Sequence, residues 1–247
     1  MNNSDRPLLS VVLPCLDEAR TLAACLRTVR QTLESLDAQS EIIVVDNGSQ
    51  DGSQSVALAE GAILVEAPSK GYGKALKHGI AASRARYILQ GDSDGSYDFT
   101  AIPLFLAELE RGFDLVVGNR FQGGILEGAM PPLHRYFGNP LLSALGRLLF
   151  TRTIGDFHCG IRAFRREAIL GLDLQCDGME FASEMIAKAA THGLSLTEIP
   201  VTLSPDGRDR RPHLNTWRDG WRHLRFLLSY GLQHHLQGLV GRGSKSA

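Results

Sequence analysis

Long apolar runs are missing from this chain. Nowhere do about 20 hydrophobic residues follow one another without interruption, which argues against a membrane-spanning helix. The nearest approaches, residues 136–150 and 225–240, are both broken by polar side chains. An excess of one charge is missing too: 26 Lys and Arg stand against 27 Asp and Glu, a formal net charge of −1. No global field therefore draws the molecule to nucleic acid, and any basic site must be local. Cysteine is sparse: Cys15, Cys25, Cys159 and Cys176 form no C-x-x-C pair and no His/Cys metal spacing, a pattern that predicts reduced thiols in a cytoplasmic protein. The apolar stretch Leu8 to Leu13 is too short, before Pro14 and the charged DEAR segment, to read as a secretion signal. Internal repeats and low-complexity tracts are lacking. PCLDEA, rather than G-x-G-x-x-G, follows the first apolar run, which argues against a dinucleotide-binding site.

What is present is a globular composition, 43% hydrophobic and 21% charged, with a regular alternation of short β-rich runs and amphipathic segments. Strands are predicted at Leu9 to Leu13, in EIIVV before Asp46, and in AILVE, RYILQ and FDLVVG. Helical spacing lies between them, at residues 18–36, Asp51 to Glu60, GKALKHGIAASRA and TAIPLFLAELERG. Five strand signals alternating with helices predict an α/β fold with a mostly parallel sheet covered on both faces. Beyond about residue 120 the alternation gives way to a Gly-rich loop, an amphipathic segment to Phe150, the loop GDFHCG, and a helix from Gly178 to His192. A strand LSLTEIPVTL, a basic loop SPDGRDRRPH and a helix from about Leu214 complete the order. One continuous unit is predicted, with a nucleotide-binding half over about 8–120 and an acceptor-binding half over about 121–247.

In open parallel sheets ligands gather beyond the carboxyl ends of the strands. Acidic residues follow three of the predicted strands: Asp17 and Glu18, then Asp46 and Asp51, then Asp92, Asp94 and Asp98. Asp92 and Asp94 flank one small residue, so both carboxylates can turn to the same point, and their repulsion is relieved if Mg²⁺ or Mn²⁺ sits there. Asp98 reads better as a helix cap. For Asp51 and Ser53, in DNGSQDGS, a capped turn and direct ligand contact are balanced. Gly71, Gly73 and Lys74 open the third helix, where glycines let backbone N–H groups approach an anion and the ammonium adds charge.

The series VVLPCLDEARTL, IIVVDNGSQDGS, KGYGKALKHGI, GDSDGS, VVGNRF and CGIRAFRREAI resembles glycosyltransferase family 2, most closely its polyprenyl-phosphate sugar synthases, over about residues 8–225. The resemblance implies a GT-A fold, a nucleoside-diphosphate sugar donor, a divalent metal on Asp92 and Asp94, and inversion at the anomeric carbon. It places Pro14, Leu16, Glu18, Asp46, Lys74, Asp92, Ser93 and Asp94 on the nucleotide sugar, with Leu16 standing where an aromatic residue is common. Arg208 and Arg211 fall in a basic loop that covers the diphosphate, and Arg120, Arg135 and Asn139 fall on the acceptor phosphate. A lipid phosphate is already substantially ionised at pH 7 and needs cations rather than a base. If the acceptor were a hydroxyl, Asp156, Glu180 or Glu184 would be the candidate base, the alternative for the glutamates being pairing with Arg162 or Arg166. Several family members carry membrane helices after this region; the chain reaches Ala247 without one, so a peripheral contact or a membrane-protein partner is expected.

Overall fold

The computed structural model describes residues 6–36, 38–208 and 215–243, with side chains to 236. Strand β1 (Leu9–Cys15) and strand β2 (Ser40–Asp46) are buried along almost their whole length, as expected for β-branched runs covered on both faces. Helix α1 (Ala19–Glu34) joins them and buries Leu22, Leu26, Val29 and Leu33. The alternation continues through α2 (Ser53–Ala59), β3 (Ile63–Glu66), α3 (Tyr72–Ala82) and β4 (Tyr87–Gln90). All five early strand predictions stand, the fifth as β5 (Leu115–Asn119) after α4 (Ile102–Glu110).

One strand was illegible. The sheet runs β3-β2-β1-β4-β6-β5-β7, and β6 (Arg162–Arg165) lies antiparallel between β4 and β5. With arginine at both ends of RAFR, the segment lacks an apolar signature. Yet Arg162 is fully buried, because its guanidinium and Nε donate to the carbonyls of Cys159 (2.9 Å), Ala182 (2.6 Å) and Phe157 (2.8 Å). Three carbonyls satisfy a charge that hydrophobic patterning assigns to solvent. The edge strand β7 (Leu196–Pro200) pairs parallel to β5, so the sheet is mostly parallel as predicted. Short helices α5 (Arg120–Gly123) and α7 (Arg166–Leu170), together with α6 (Asn139–Leu149), α8 (Phe181–Thr191) and the long α9 (Thr216–Gly243), complete the order.

Strand order reverses between β1 and β4, and their carboxyl ends separate there. Pairing stops at Val12 and Gln90. Val12 still accepts from Gly91 N–H (3.3 Å), but two residues on, on the same side of the strand, Pro14 has no N–H to give. Its carbonyl accepts instead from Ser93 Oγ (2.9 Å), and the two chain segments part to leave a crevice.

Candidate active site

Strand β1 ends in a turn that aims Glu18 across this crevice. Asp17 has a φ of 52°, a left-handed conformation that aspartate tolerates better than most residues. The turn is held from β2's loop: Ser49 Oγ accepts from Asp17 N–H (2.8 Å) and Asp17 Oδ1 accepts from Gln50 N–H (2.6 Å). Ser53 Oγ accepts from Glu18 N–H (2.8 Å) and Asp51 Oδ2 from Ala19 N–H (2.9 Å), so α1 is capped by side chains from the neighbouring loop. Asp51 Oδ1 also accepts from Ser53 N–H (3.0 Å) at the start of α2, so Asp51 and Ser53 both serve as caps. Asp98 likewise accepts from Thr100 N–H (2.9 Å) at a helix start.

Asp46, at the end of β2, is buried and serves its own turn, accepting from Gly48 and Ser49 N–H and from Gln54 Nε2 (2.7 Å). Burial alone would raise its pKa, but these donors outweigh burial and hold it below the usual carboxylate range. A ligand N–H would have to take a remaining lone pair or displace Gln54.

At the end of β4, Asp94 Oδ1 accepts from Ser96 N–H (2.9 Å) and Oγ (2.6 Å), leaving Oδ2 to face Arg208 at 3.0 Å. Arg208 also donates through Nε to Glu18 Oε1 (2.7 Å), so one guanidinium bridges the β1 and β4 loops. Asp92 Oδ1 accepts from Tyr72 Oη (3.0 Å). Burial and then the neighbouring Asp94 push Asp92 up to about 6, with Tyr72, Arg208 and Arg120 opposing. A Cβ at residue 160 would stand 2.5 Å from Asp92 Oδ2, so a larger residue there would displace that carboxylate. Among the described residues no group of three His, Cys, Asp or Glu side chains is placed to hold a metal ion by itself. Two hard carboxylates suit an ion such as Mg²⁺ or Mn²⁺ that keeps water and completes its shell from substrate phosphates.

The glycines of the G-x-G-K segment have a packing role of their own. A Cβ on Gly71 would meet Asp177 O at 2.5 Å, and one on Gly73 would meet Cys176 O at 2.5 Å, so both glycines serve close packing on the 176–177 backbone. Lys74 is taken by Ser69 Oγ (2.9 Å) and Asp177 (3.5 Å).

Further along the chain, Arg120 and Asp156 form a buried bidentate pair, Nε to Oδ2 at 2.7 Å and Nη2 to Oδ1 at 2.8 Å. Burial works to lower the pKa of Arg120, but the charge of Asp156 opposes it and holds the guanidinium above its usual range. Glu180 pairs with Arg222 (2.8 Å), and Glu184 with Lys188 (2.9 Å) while also accepting from Gln175 and Cys176 N–H. The expected partners Arg162 and Arg166 are thus replaced by Arg222 and Lys188. Arg135 stacks over Tyr136 (5.6 Å) and, among the described residues, makes no ion pair; Asn139 Nδ2 contacts Met130 Sδ (3.4 Å). Arg210 and Arg211 lie outside the described residues. Sequence reasoning missed Tyr72 and Gly160; an aromatic in KGYGK beside the strand-end aspartates was the available signal for the first.

Burial pushes Cys159 up to about 12, so it is no thiolate nucleophile. His158 and His223 stack edge to face at 4.6 Å, and burial lowers His223 to about 4. A histidine whose folded pKa lies below the unfolded 6.5 contributes stability that is complete above 6.5 and lost as pH falls toward 4. Stability is therefore expected to drop by about 2–3 kcal/mol across that window on account of His223. Thermal melts of His223→Gln against the parent from pH 7 to 4 should show a flatter profile in the variant.

Residues 10–172 match the model of the glycosyl transferase family 2. The chain belongs to that family. It is 40% identical over 223 residues to the low-salt glycan biosynthesis hexosyltransferase Agl6 of Haloferax volcanii, a match covering 90% of this chain and 53% of that protein. It thus spans about half the length of that relative. Glycosyltransferase AglJ of the same organism is 32% identical over 213 residues, covering 85% of this chain and 67% of its own length. A dolichyl-phosphate hexose transferase from the same organism is 28% identical over 193 residues, covering 78% of this chain and 81% of its own. Among solved structures, glucosyl-3-phosphoglycerate synthase from Mycobacterium tuberculosis in complex with UDP superposes with a TM-score of 0.71 at 22% identity, covering 92% of this chain and 81% of that one. The fold of this family 2 chain is GT-A, as its motifs implied.

Proposed function

We propose that this family 2 enzyme moves a hexose from a nucleoside-diphosphate sugar to a polyprenyl phosphate, with inversion at the anomeric carbon. The donor lies over the carboxyl ends of β1, β2 and β4, framed by Pro14, Leu16, Glu18, Asp46 and Ser93. Asp92 and Asp94 would hold a divalent ion, which when bound offsets the negative charge on the departing diphosphate. Solved structures of the fold neighbour contain Mn²⁺ or Mg²⁺ with UDP, and that parallel supports the same cofactor here.

One observation carries the choice of acceptor. Every carboxylate considered as a base in the acceptor half already has a cationic partner: Asp156 has Arg120, Glu180 has Arg222 and Glu184 has Lys188. Arg135 has none among the described residues. A site with committed carboxylates and an available guanidinium suits an ionised phosphate nucleophile, which needs positioning and brings its own charge. Arg120 and Arg135 would orient that phosphate, with Asn139 at the start of α6.

The surface beside these residues supports a lipid acceptor. Tyr136, Phe137, Leu141 and Leu148 are exposed, as are Trp217, Trp221, Leu228 and Leu232, which repeat at helical spacing on α9. No described helix is long and apolar enough to cross a membrane, so contact with a bilayer would be through these faces.

Incubation with labelled UDP-glucose or GDP-mannose, Mn²⁺ and polyprenyl phosphate should give an acid-labile lipid product. Transfer to hydroxyl acceptors alone would overturn the reading. The observation favouring a hydroxyl acceptor is Glu180 Oε2, buried with no hydrogen-bond partner. Glu180→Gln is expected to retain turnover within about tenfold, whereas loss of a general base costs about 10²–10⁴.

A further inference from the structure

Arg208 is the cation that enters the acidic crevice from outside it. Its side chain is only 16% exposed and touches three carboxylates: Glu18 Oε1 at 2.7 Å, Asp94 Oδ2 at 3.0 Å and Asp206 Oδ2 at 3.5 Å. The loop that carries it is pinned by main-chain bonds, Gly207 N–H to Asp94 O (2.9 Å) and Ser204 N–H to Ser96 O (2.9 Å). The backbone is therefore anchored independently of the guanidinium. The side chain can leave Asp94 while the loop stays in place.

Asp94 Oδ1 is committed to Ser96, so Oδ2 is the oxygen with capacity for a cation, and Arg208 holds it. A divalent ion drawing on the same oxygen meets a competitor built into the chain. Glu18, Asp94 and Asp206 all face Arg208, and Asp92 stands beside Asp94, so among the described residues these carboxylates outnumber this one cation. A divalent ion would reduce the negative excess, weakening the hold of the site on the guanidinium. An arriving diphosphate brings new negative charge and oxygens suited to a guanidinium fork.

We infer that Arg208 is a resident counter-ion of the metal site, which the divalent ion displaces from Asp94 and the nucleoside diphosphate then recaptures. The exchange makes metal and diphosphate bind cooperatively beyond their direct contact, because each removes a cost the other would meet. It also disfavours metal loading without donor, so Arg208 stays on Asp94 between turnovers. This inference rests on the reading of Asp92 and Asp94 as metal ligands.

The test is direct binding, independent of turnover. Free Mn²⁺ is titrated into the parent, Arg208→Gln and Arg208→Lys, with and without saturating UDP, and followed by electron paramagnetic resonance. Without UDP, Mn²⁺ should bind about tenfold tighter to Arg208→Gln than to the parent, with Arg208→Lys between them, since an ammonium cannot span Glu18 and Asp94 as the fork does. The factor by which UDP tightens Mn²⁺ binding should fall about tenfold in Arg208→Gln. Loss of a nearby positive charge alone would tighten Mn²⁺ binding but leave that factor unchanged, an outcome that overturns the exchange. Equal Mn²⁺ affinity in all three proteins also overturns it while leaving the metal site standing. Failure of the parent to bind Mn²⁺ even with UDP would remove the metal site and the exchange together.

Discussion

An Asp94→Asn variant is expected to lose about 10³-fold or more in sugar transfer while folding normally. The substitution is chosen for what it keeps. Asparagine's carbonyl can still accept from Ser96 N–H and Oγ, the contacts that fix the loop after β4. It removes the negative charge at Oδ2, which now faces Arg208 and in the proposed reaction would face the ion that neutralises the leaving diphosphate. Loss of that charge costs the transition state more than the bound donor, because the diphosphate's charge grows as the glycosidic bond breaks. The measurement is kcat with saturating donor and Mn²⁺, together with a melt that reports the fold. Retention of turnover within about tenfold of the parent would show that Asp94 does not anchor the reacting centre.

The second large effect concerns stability. Asp156→Ala leaves the Arg120 guanidinium buried without its bidentate partner and takes an acceptor from two main-chain N–H groups, those of Arg120 and His158. Breaking one side of a buried ion pair costs about 3–5 kcal/mol. For a chain of this size the melting temperature should fall by about 10 °C. Replacing both partners by apolar residues of similar volume, Arg120→Met with Asp156→Leu, should recover more than half of the loss, because no charge is then left unpaired. A catalytic base would behave otherwise: Asp156→Ala would lose turnover with the melt unchanged, and that result would restore Asp156 as a candidate base.

The first half of this protein was legible because its physics is local. Buried strands such as LSVVLPC and SEIIVVD carry their signature in consecutive residues, and ligand sites of parallel sheets fall where such strands end. Asp92 and Asp94 were singled out by position for that reason. The second half was harder because its decisive contacts join distant segments. That Glu180 pairs with Arg222, 42 residues on, follows only from tertiary placement, and even in the first half the capping of α1 by Asp51 joins residues 32 apart. Strand β6 was hidden by a buried arginine whose partners lie on two other segments. The glycines of KGYGK also answer a demand hidden from the sequence, close backbone packing against residues 176 and 177.

The insertion of β6 also orders the birth of the molecule. Strands β3, β2, β1 and β4 are contiguous neighbours made from the first part of the chain, and they can associate as soon as they emerge. Strand β5 is synthesised next but has no place beside β4 until β6 arrives to bridge them, so the growing sheet waits with an unsatisfied edge. Arg208 comes later still, 190 residues after the Glu18 it binds. On a ribosome the loops after β1 and β4 would thus stand facing each other before the guanidinium that bridges them has been made.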